Sequence, residues 1–172
     1  MDAVIGTQVI VPPFTEAMIA RELATYLEHR GHRFILKNFF IGKWECDVFS
    51  ATSNGTTNEY EIKRSLLDYK LDAKKVRKVW SPKGTYPRTF TMAGKLDETK
   101  RGTRTNKFWY VIPKGWDLSI VPKEFGVITY EDRGYIHLRK ARNAQMLHPT
   151  KLPEHNELLY NVALKCYYRM VK

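Results

Sequence analysis

The sequence contains few cysteines and no long apolar segment. Of its 172 residues only two are cysteines, Cys46 and Cys166, too few for a disulfide framework or a thiolate zinc site. No apolar run approaches the length of a membrane-spanning helix. Residues 1–14 contain no lysine or arginine, which is unlike a secretory signal or a transit peptide. We therefore expect a cytoplasmic protein with free thiols and no membrane association.

Positive charge is concentrated in the middle of the chain. The whole sequence carries 29 Lys and Arg against 18 Asp and Glu, a net charge of +11. Residues 1–62 contain 5 basic and 8 acidic side chains, whereas residues 63–107 contain 14 basic and 4 acidic ones. Such a basic segment favours a polyanionic partner, most simply nucleic acid. A solubilising surface is the alternative explanation of the same composition.

Hydrophobic periodicity predicts a single α/β domain over residues 1–172, with elements in the order α-β-β-β-α-β, a mixed sheet flanked by helices, and a C-terminal helix. Thr15 is predicted to cap the first helix, which ends at Gly31. Further helices are predicted over residues 68–80 and 154–171. Residues 81–107 are expected to form a basic, mobile loop. The predicted strands are 32–41, 44–50, 58–63, 108–112, 126–130 and 135–138.

Three charged residues on the second and third predicted strands form a candidate site. Glu61 and Lys63 share one face of the third strand because strand side chains alternate. If these strands pair around the turn Asn54-Gly55, Asp47 lies beside Glu61. Two facing carboxylates repel each other unless a cation such as Mg²⁺ neutralises them. This set suits phosphodiester hydrolysis, with Lys63 orienting the attacking water and stabilising the developing charge.

The same pattern also has a purely structural interpretation. A strand with Glu-x-Lys is often an exposed face with an ion pair worth less than about 1 kcal/mol, and Asp47 also suits a turn or a sheet edge. Glu45 and Glu59 share the alternation of Asp47 and Glu61, so they are either alternative ligands or ordinary exposed acids. Helical spacing places Glu16 at the N-terminal end of the inward stripe of the first helix, where it can join the acids.

With these residues identified, the chain resembles the PD-(D/E)XK nuclease superfamily. Asp47 and the tripeptide Glu61-Ile62-Lys63, in this order of elements, are similar to the superfamily motif. The segment Ser65–Lys74 resembles the stretch after the catalytic lysine in the MmcB-like DNA-repair nucleases and related phage proteins, with Ser, Asp-aromatic and Asp-x-Lys at the same spacing. The resemblance covers about residues 45–141, and two later segments are also similar: 106–113 and 122–128.

The resemblance implies a restriction-endonuclease-like fold and a Mg²⁺-dependent deoxyribonuclease, in which Mn²⁺ can substitute. We expect an endonuclease that acts in DNA repair, recombination or phage DNA processing, in a bacterial or phage-infected cell. Asp47 and Glu61 match the metal-binding acids, and the backbone carbonyl of Ile62 is the third implied ligand. Lys63 matches the catalytic lysine, and Glu16 matches a first-helix acid. The resemblance leaves open the roles of three motif positions: Ser65, Asp68 (which equally suits a helix cap) and Asp72.

Basic residues of the middle segment are the predicted DNA contacts. They would bind phosphates without reading sequence, and they are Lys74, Lys75, Arg77, Lys78, Arg88, Arg101 and Arg104. Tyr86 and Phe90 are expected to stack on unpaired bases, although a disordered tether explains this segment equally well. The partner is therefore DNA, and a homodimer is compatible with the sequence. The alternatives are a non-catalytic DNA-binding module on the same fold and a protein-interaction factor that uses the C-terminal helix.

Overall fold

Helices cover both faces of a six-stranded mixed sheet in the computed structural model. The structure describes residues 14–41, 44–72, 76–79, 88–101, 103–154 and 156–170. The α-helices are α1 (Glu16–Glu28), α2 (Leu66–Asp72), α3 (Met92–Lys100) and α4 (Asn156–Met170). The strands are β1 (His32–Ile41), β2 (Trp44–Thr52), β3 (Thr57–Ile62), β4 (Val76–Val79), β5 (Arg88–Thr91), β6 (Lys107–Pro113), β7 (Gly126–Asp132) and β8 (Ile136–Arg142). None of the described helices is long and apolar enough to cross a membrane.

The strand order of the main sheet is β1-β2-β3-β6-β7-β8. The first three strands are antiparallel, β6 lies parallel to β3 and to β7, and β8 returns antiparallel to β7. The two short strands β4 and β5 pair with each other outside this sheet. The predicted α/β architecture with a mixed sheet and a C-terminal helix is therefore confirmed.

The apolar stripe of α1 packs on one face of the sheet. Thr15 caps the helix as predicted, because its Oγ1 accepts a hydrogen bond from the Met18 N–H at 3.2 Å. Ile19, Leu23 and Leu27 are buried against the centre of the sheet. This packing places α1 across β1, β2, β3 and β8, with its N-terminal end near Asp47.

The opposite face carries two further apolar clusters. Leu158 and Val162 of α4 pack on the β1–β2 end of the sheet. Farther along, Phe108, Tyr110 and Phe125 form the second cluster, against which Leu96 of α3 packs. On this face α4 and α3 therefore cover different parts of the sheet. Both cysteines are free thiols, as the sequence predicted: Cys46 is buried and Cys166 is half-buried.

Two predictions about the middle of the chain are wrong for the residues that the structure describes. The helix expected over residues 68–80 ends at Asp72, and residues 76–79 form β4 because their backbone pairs with β5. The mobile loop expected over residues 81–107 contains both β5 and α3. Within it Lys95 and Arg104 are buried, and ion pairs with acids of β3 hold them there.

The start of β7 passes directly against an indole ring. A Cβ atom at Gly126 would overlap ring atoms of Trp109. That ring cannot retreat easily, because its Nε1 donates to Asn58 Oδ1 at 3.0 Å and its face stacks on Tyr60. We expect Gly126→Ala to lower the free energy of unfolding by about 1–3 kcal/mol in urea denaturation. In a Trp109→Leu background the same change should cost clearly less, and an equal cost in both backgrounds would refute this explanation.

Candidate active site

The three residues predicted from strand alternation meet at the carboxyl end of β3. Val48 of β2 pairs with Tyr60, so Asp47 lies just beyond the last paired residues. The Asp47 carboxylate accepts a hydrogen bond from the backbone N–H of Ile62, with 2.6 Å between Oδ2 and N. The ammonium of Lys63 lies 3.4 Å from Glu61 Oε2. The structure thus brings one acid of β2 to the end of the strand that carries the second acid and the lysine.

The environment of Asp47 penalises a negative charge. Burial first, and then the charge on Glu61, raises the pKa of Asp47 to about 8. The N–H of Ile62 and the ammonium of Lys63 act in the opposite direction but do not compensate. A carboxyl group in this condition holds a proton at neutral pH unless a cation approaches it. The electrostatics therefore favour a cation beside Asp47.

The position of Glu16, the first-helix acid, differs from the prediction. Glu16 is the first residue of α1 and is exposed, so it does not belong to the buried stripe of the helix. Glu16 directly follows the cap Thr15 and lies about one turn before Ile19, the first buried residue of the helix. Its charge still contributes to the raised pKa of Asp47. Glu16 therefore lies at the exposed rim of the acid cluster.

Sequence reasoning missed a second lysine in the site. Lys95 of α3 is 1% exposed, and its ammonium contacts Glu61 Oε1, lies 2.8 Å from Glu59 Oε1 and donates to the Glu45 carbonyl at 3.1 Å. Burial alone would lower the pKa of Lys95, but the two carboxylates outweigh it and raise the pKa above its usual value. Lys95 is therefore charged at neutral pH and is the counter-charge for Glu61 in this structure.

A buried ion pair fixes the segment between α3 and β6. Glu59 is fully buried, and the Nη2 of Arg104 donates to its two oxygens at 2.8 and 2.9 Å. The Nη1 of Arg104 donates to the Ile41 carbonyl at 2.8 Å. Burial would raise the pKa of Glu59, but Arg104 and then Lys95 hold it below its usual value. Arg104 is therefore no DNA contact, and that prediction is wrong because a buried carboxylate requires its guanidinium.

One signal in the sequence pointed to these missed residues. Glu59 has the same alternation as Glu61, on a strand whose other face is apolar. If such a strand lies in the middle of a sheet, both acids are buried and need cationic partners. The basic segment that follows in the chain supplies them as Lys95 and Arg104.

Ser65 and Asp68, two of the motif positions whose roles the resemblance leaves open, form a helix cap. The Asp68 N–H donates to Ser65 Oγ at 3.1 Å, and Asp68 Oδ2 accepts from the Arg64 N–H at 3.4 Å. These contacts satisfy N–H groups at the start of α2, which supports the capping interpretation of Asp68. Asp72 is the last residue of α2.

The predicted DNA contacts are only partly described by the structure. Arg101 is exposed and forms an ion pair with Asp97 one helical turn away. Arg77, Lys78 and Arg88 belong to the β4–β5 pair. The remaining predicted contacts and one of the stacking aromatics lie outside the described residues: Lys74, Lys75 and Tyr86. Arg101 is thus the one predicted contact whose exposed side chain the structure describes.

The donors of the cluster suit a hard divalent cation, with one competitor present. The described residues contain no group of three or more His, Cys, Asp or Glu side chains arranged to hold a metal ion. Two carboxylates are nevertheless sufficient protein ligands for Mg²⁺, which keeps several waters. Asp47 offers an acid without a full counter-charge, whereas Glu61 already contacts Lys63 and Lys95. The cluster therefore fits Mg²⁺ by donor type, in competition with Lys95 for Glu61.

Comparison with known proteins finds a similarity in fold. The sequence matches no protein-family model and no curated protein. A solved structure, the SPO1766 protein of unknown function from Silicibacter pomeroyi, is similar with a TM-score of 0.65 and 17% sequence identity. The similarity covers 92% of this chain and 91% of that chain. It shows that the two proteins share a fold, and it assigns no activity.

Proposed function

We propose that the protein is a Mg²⁺-dependent DNA nuclease of the PD-(D/E)XK type, built on a restriction-endonuclease-like core. The observation that carries the proposal is the meeting of Asp47, Glu61 and Lys63 at the end of β3. A mixed sheet covered by helices on both faces supports the fold. The basic residues of positions 63–107 other than the buried Lys63, Lys95 and Arg104 support a nucleic-acid partner.

Each residue of the set has a definite part in this proposal. Asp47 and Glu61 would hold the ion together with the Ile62 carbonyl, and the ion would supply charge neutralisation at the scissile phosphate and a more acidic water. Lys63 places an ammonium beside Glu61, where it can orient the attacking water and stabilise the developing charge. Its backbone is anchored, because its N–H donates to the Val111 carbonyl at 2.9 Å and its carbonyl accepts from the Tyr130 hydroxyl at 3.3 Å.

Access to these groups requires a movement of the covering layer. Glu61 and Lys63 are 5% and 4% exposed, and Lys95 of α3 contacts Glu61 directly. Because α3 carries Lys95, we expect α3 to shift when a DNA phosphate approaches them. We therefore expect cation and DNA to displace the Lys95 ammonium from Glu61, which is a gating step of the kind that active-site lids perform.

Removing the competing ammonium should strengthen cation binding. We expect Lys95→Gln, which keeps a hydrogen-bond donor near Glu59, to bind Mn²⁺ at least about tenfold more tightly than the unaltered protein. Isothermal titration calorimetry measures this, and the rise in unfolding temperature on adding Mn²⁺ should also be larger in the variant. Lys100→Gln on the same helix, exposed and paired with Glu124, is the matched control. Unchanged affinity in Lys95→Gln, or the same gain in Lys100→Gln, would refute the competition.

A non-catalytic DNA-binding module on the same fold is the second candidate. The observation in its favour is the Lys95 ammonium, which already neutralises Glu61 without a metal ion. Duplex, single-stranded, flapped and four-way DNA incubated with Mg²⁺, Mn²⁺ or EDTA separates the two functions. Cleavage that EDTA stops supports the nuclease, whereas salt-sensitive binding without cleavage or metal response on any substrate supports the module.

A further inference from the structure

We infer that a cleft at the start of β3 binds a phosphate-bearing ligand of about the size of a nucleoside monophosphate. The cleft has a volume of about 570 Å³. It lies between the residues just after α1, the β2–β3 turn, the start of β6 and the end of β8. Asp47 and Lys63 lie at the other end of β3, so this is a second site, independent of the proposed nuclease centre.

The lining of the cleft is basic. Arg30, Lys107 and Lys140 belong to it, and no acidic side chain is among its described lining residues. His32 at its wall shows the effect of this charge, because burial and then Lys107 lower its pKa. The imidazole instead makes a 2.6 Å hydrogen bond with Ser50. Three cations that line one cleft without a carboxylate attract an anion with two negative charges, such as a phosphate monoester.

An unsatisfied donor lies in the same wall. The hydroxyl of Tyr26 is buried and has no hydrogen-bond partner among the described residues. The guanidinium of Arg30 lies over the Tyr26 ring, with 4.3 Å from Cζ to the ring centroid, and this contact keeps the cation at the cleft. A buried hydroxyl without a partner costs free energy, and a small movement of the wall that lets a ligand oxygen reach it would satisfy it.

The size of the cleft indicates more than an inorganic ion. Small-molecule sites commonly have volumes of about 300–1,000 Å³, and this cleft lies within that range. Leu27, Trp109 and Ile128 supply apolar wall beside the cations. The ligand therefore combines a phosphate with an organic body. A free nucleotide and the 5′-terminal phosphate of a DNA strand both present this chemistry.

Calorimetric titration in EDTA tests the site with two probes. The probes are dAMP and a short oligonucleotide with a 5′-phosphate, and the same oligonucleotide without that phosphate is the control. We expect at least one phosphorylated probe to bind, and the double variant Arg30→Gln/Lys140→Gln to weaken that binding at least about tenfold. Both side chains are exposed, so the fold should persist. Arg139→Gln, one residue away on β8 and outside the cleft lining, is the control for loss of a positive charge near the cleft and should bind as the unaltered protein does.

The outcomes separate the ligand source from failure of the proposal. Binding of dAMP indicates a free nucleotide, and binding of the phosphorylated oligonucleotide alone indicates a strand end. Tyr26→Phe should weaken either one. Absence of binding by both probes, equal binding of the unphosphorylated oligonucleotide, or an equal loss in Arg139→Gln would overturn the proposal. Asp47→Asn should leave this binding unchanged, so the result does not depend on the nuclease activity.

Discussion

Asp47→Asn is expected to remove metal-dependent cleavage of DNA. The substitution keeps the size of the side chain and an oxygen that can accept from the Ile62 N–H, but it removes the carboxylate charge beside Glu61. Loss of groups that only orient a metal ligand costs about 10–100-fold in metal affinity or activity, so loss of the ligand itself should cost at least about 100-fold in the cleavage rate. The measurement is the rate of cleavage in Mg²⁺ under single-turnover conditions.

The control for this prediction lies two residues away on the same strand. Glu45 is exposed, and its side chain is the nearest acid of β2 that the proposal does not use. Glu45→Gln should therefore cleave at the unaltered rate. Lys63→Met should lose about 10²–10³-fold in rate while still binding Mn²⁺, because it removes stabilisation of charge rather than a ligand. Equal cleavage by all four proteins would identify the activity as a contaminant.

Arg104→Met is expected to cause the largest loss of stability. The guanidinium is 1% exposed and makes two short hydrogen bonds to Glu59, which is itself fully buried. Removing one partner of a buried pair leaves an uncompensated charge, which costs about 3–5 kcal/mol. Lys95 retains part of the compensation, because its ammonium also contacts Glu59. Urea denaturation followed by circular dichroism measures the change.

A neighbouring arginine provides the comparison. Arg101 pairs with Asp97 on the exposed surface of α3, and Arg101→Met should change the free energy of unfolding by no more than about 0.5 kcal/mol. The double variant Glu59→Gln/Arg104→Met should lose less than the sum of the two single variants, because neither charge is then left alone. A loss below about 1 kcal/mol in Arg104→Met would show that water reaches the pair.

The main sheet was predictable because its signals are local. The strand β1 has the predicted bounds, and Thr15 caps α1, since both follow from periodicity and capping preference within a few residues. The region between α2 and β6 was not predictable in the same way. Its strands are short, and α3 is held by contacts of Lys95 with acids more than thirty positions earlier in the chain. Composition alone therefore gave the impression of a solvated loop.

The candidate site was likewise predictable only in part. Asp47, Glu61 and Lys63 could be placed together from strand alternation and one hairpin turn. The buried partners of the acids could not be predicted in this way. Nothing in the local sequence distinguishes a buried lysine or arginine of a basic segment from an exposed one. Arg104 was thus assigned to the surface, although it is among the largest fully buried side chains of the described residues.

The most direct test of the central claim is a crystal soaked in Mn²⁺ and measured at a wavelength where manganese scatters anomalously. The proposal predicts an anomalous peak between the carboxylates of Asp47 and Glu61, with the Lys95 ammonium withdrawn from Glu61. No peak at that place, with the two carboxylates pointing apart and Lys95 still on Glu61, would contradict a metal-dependent nuclease.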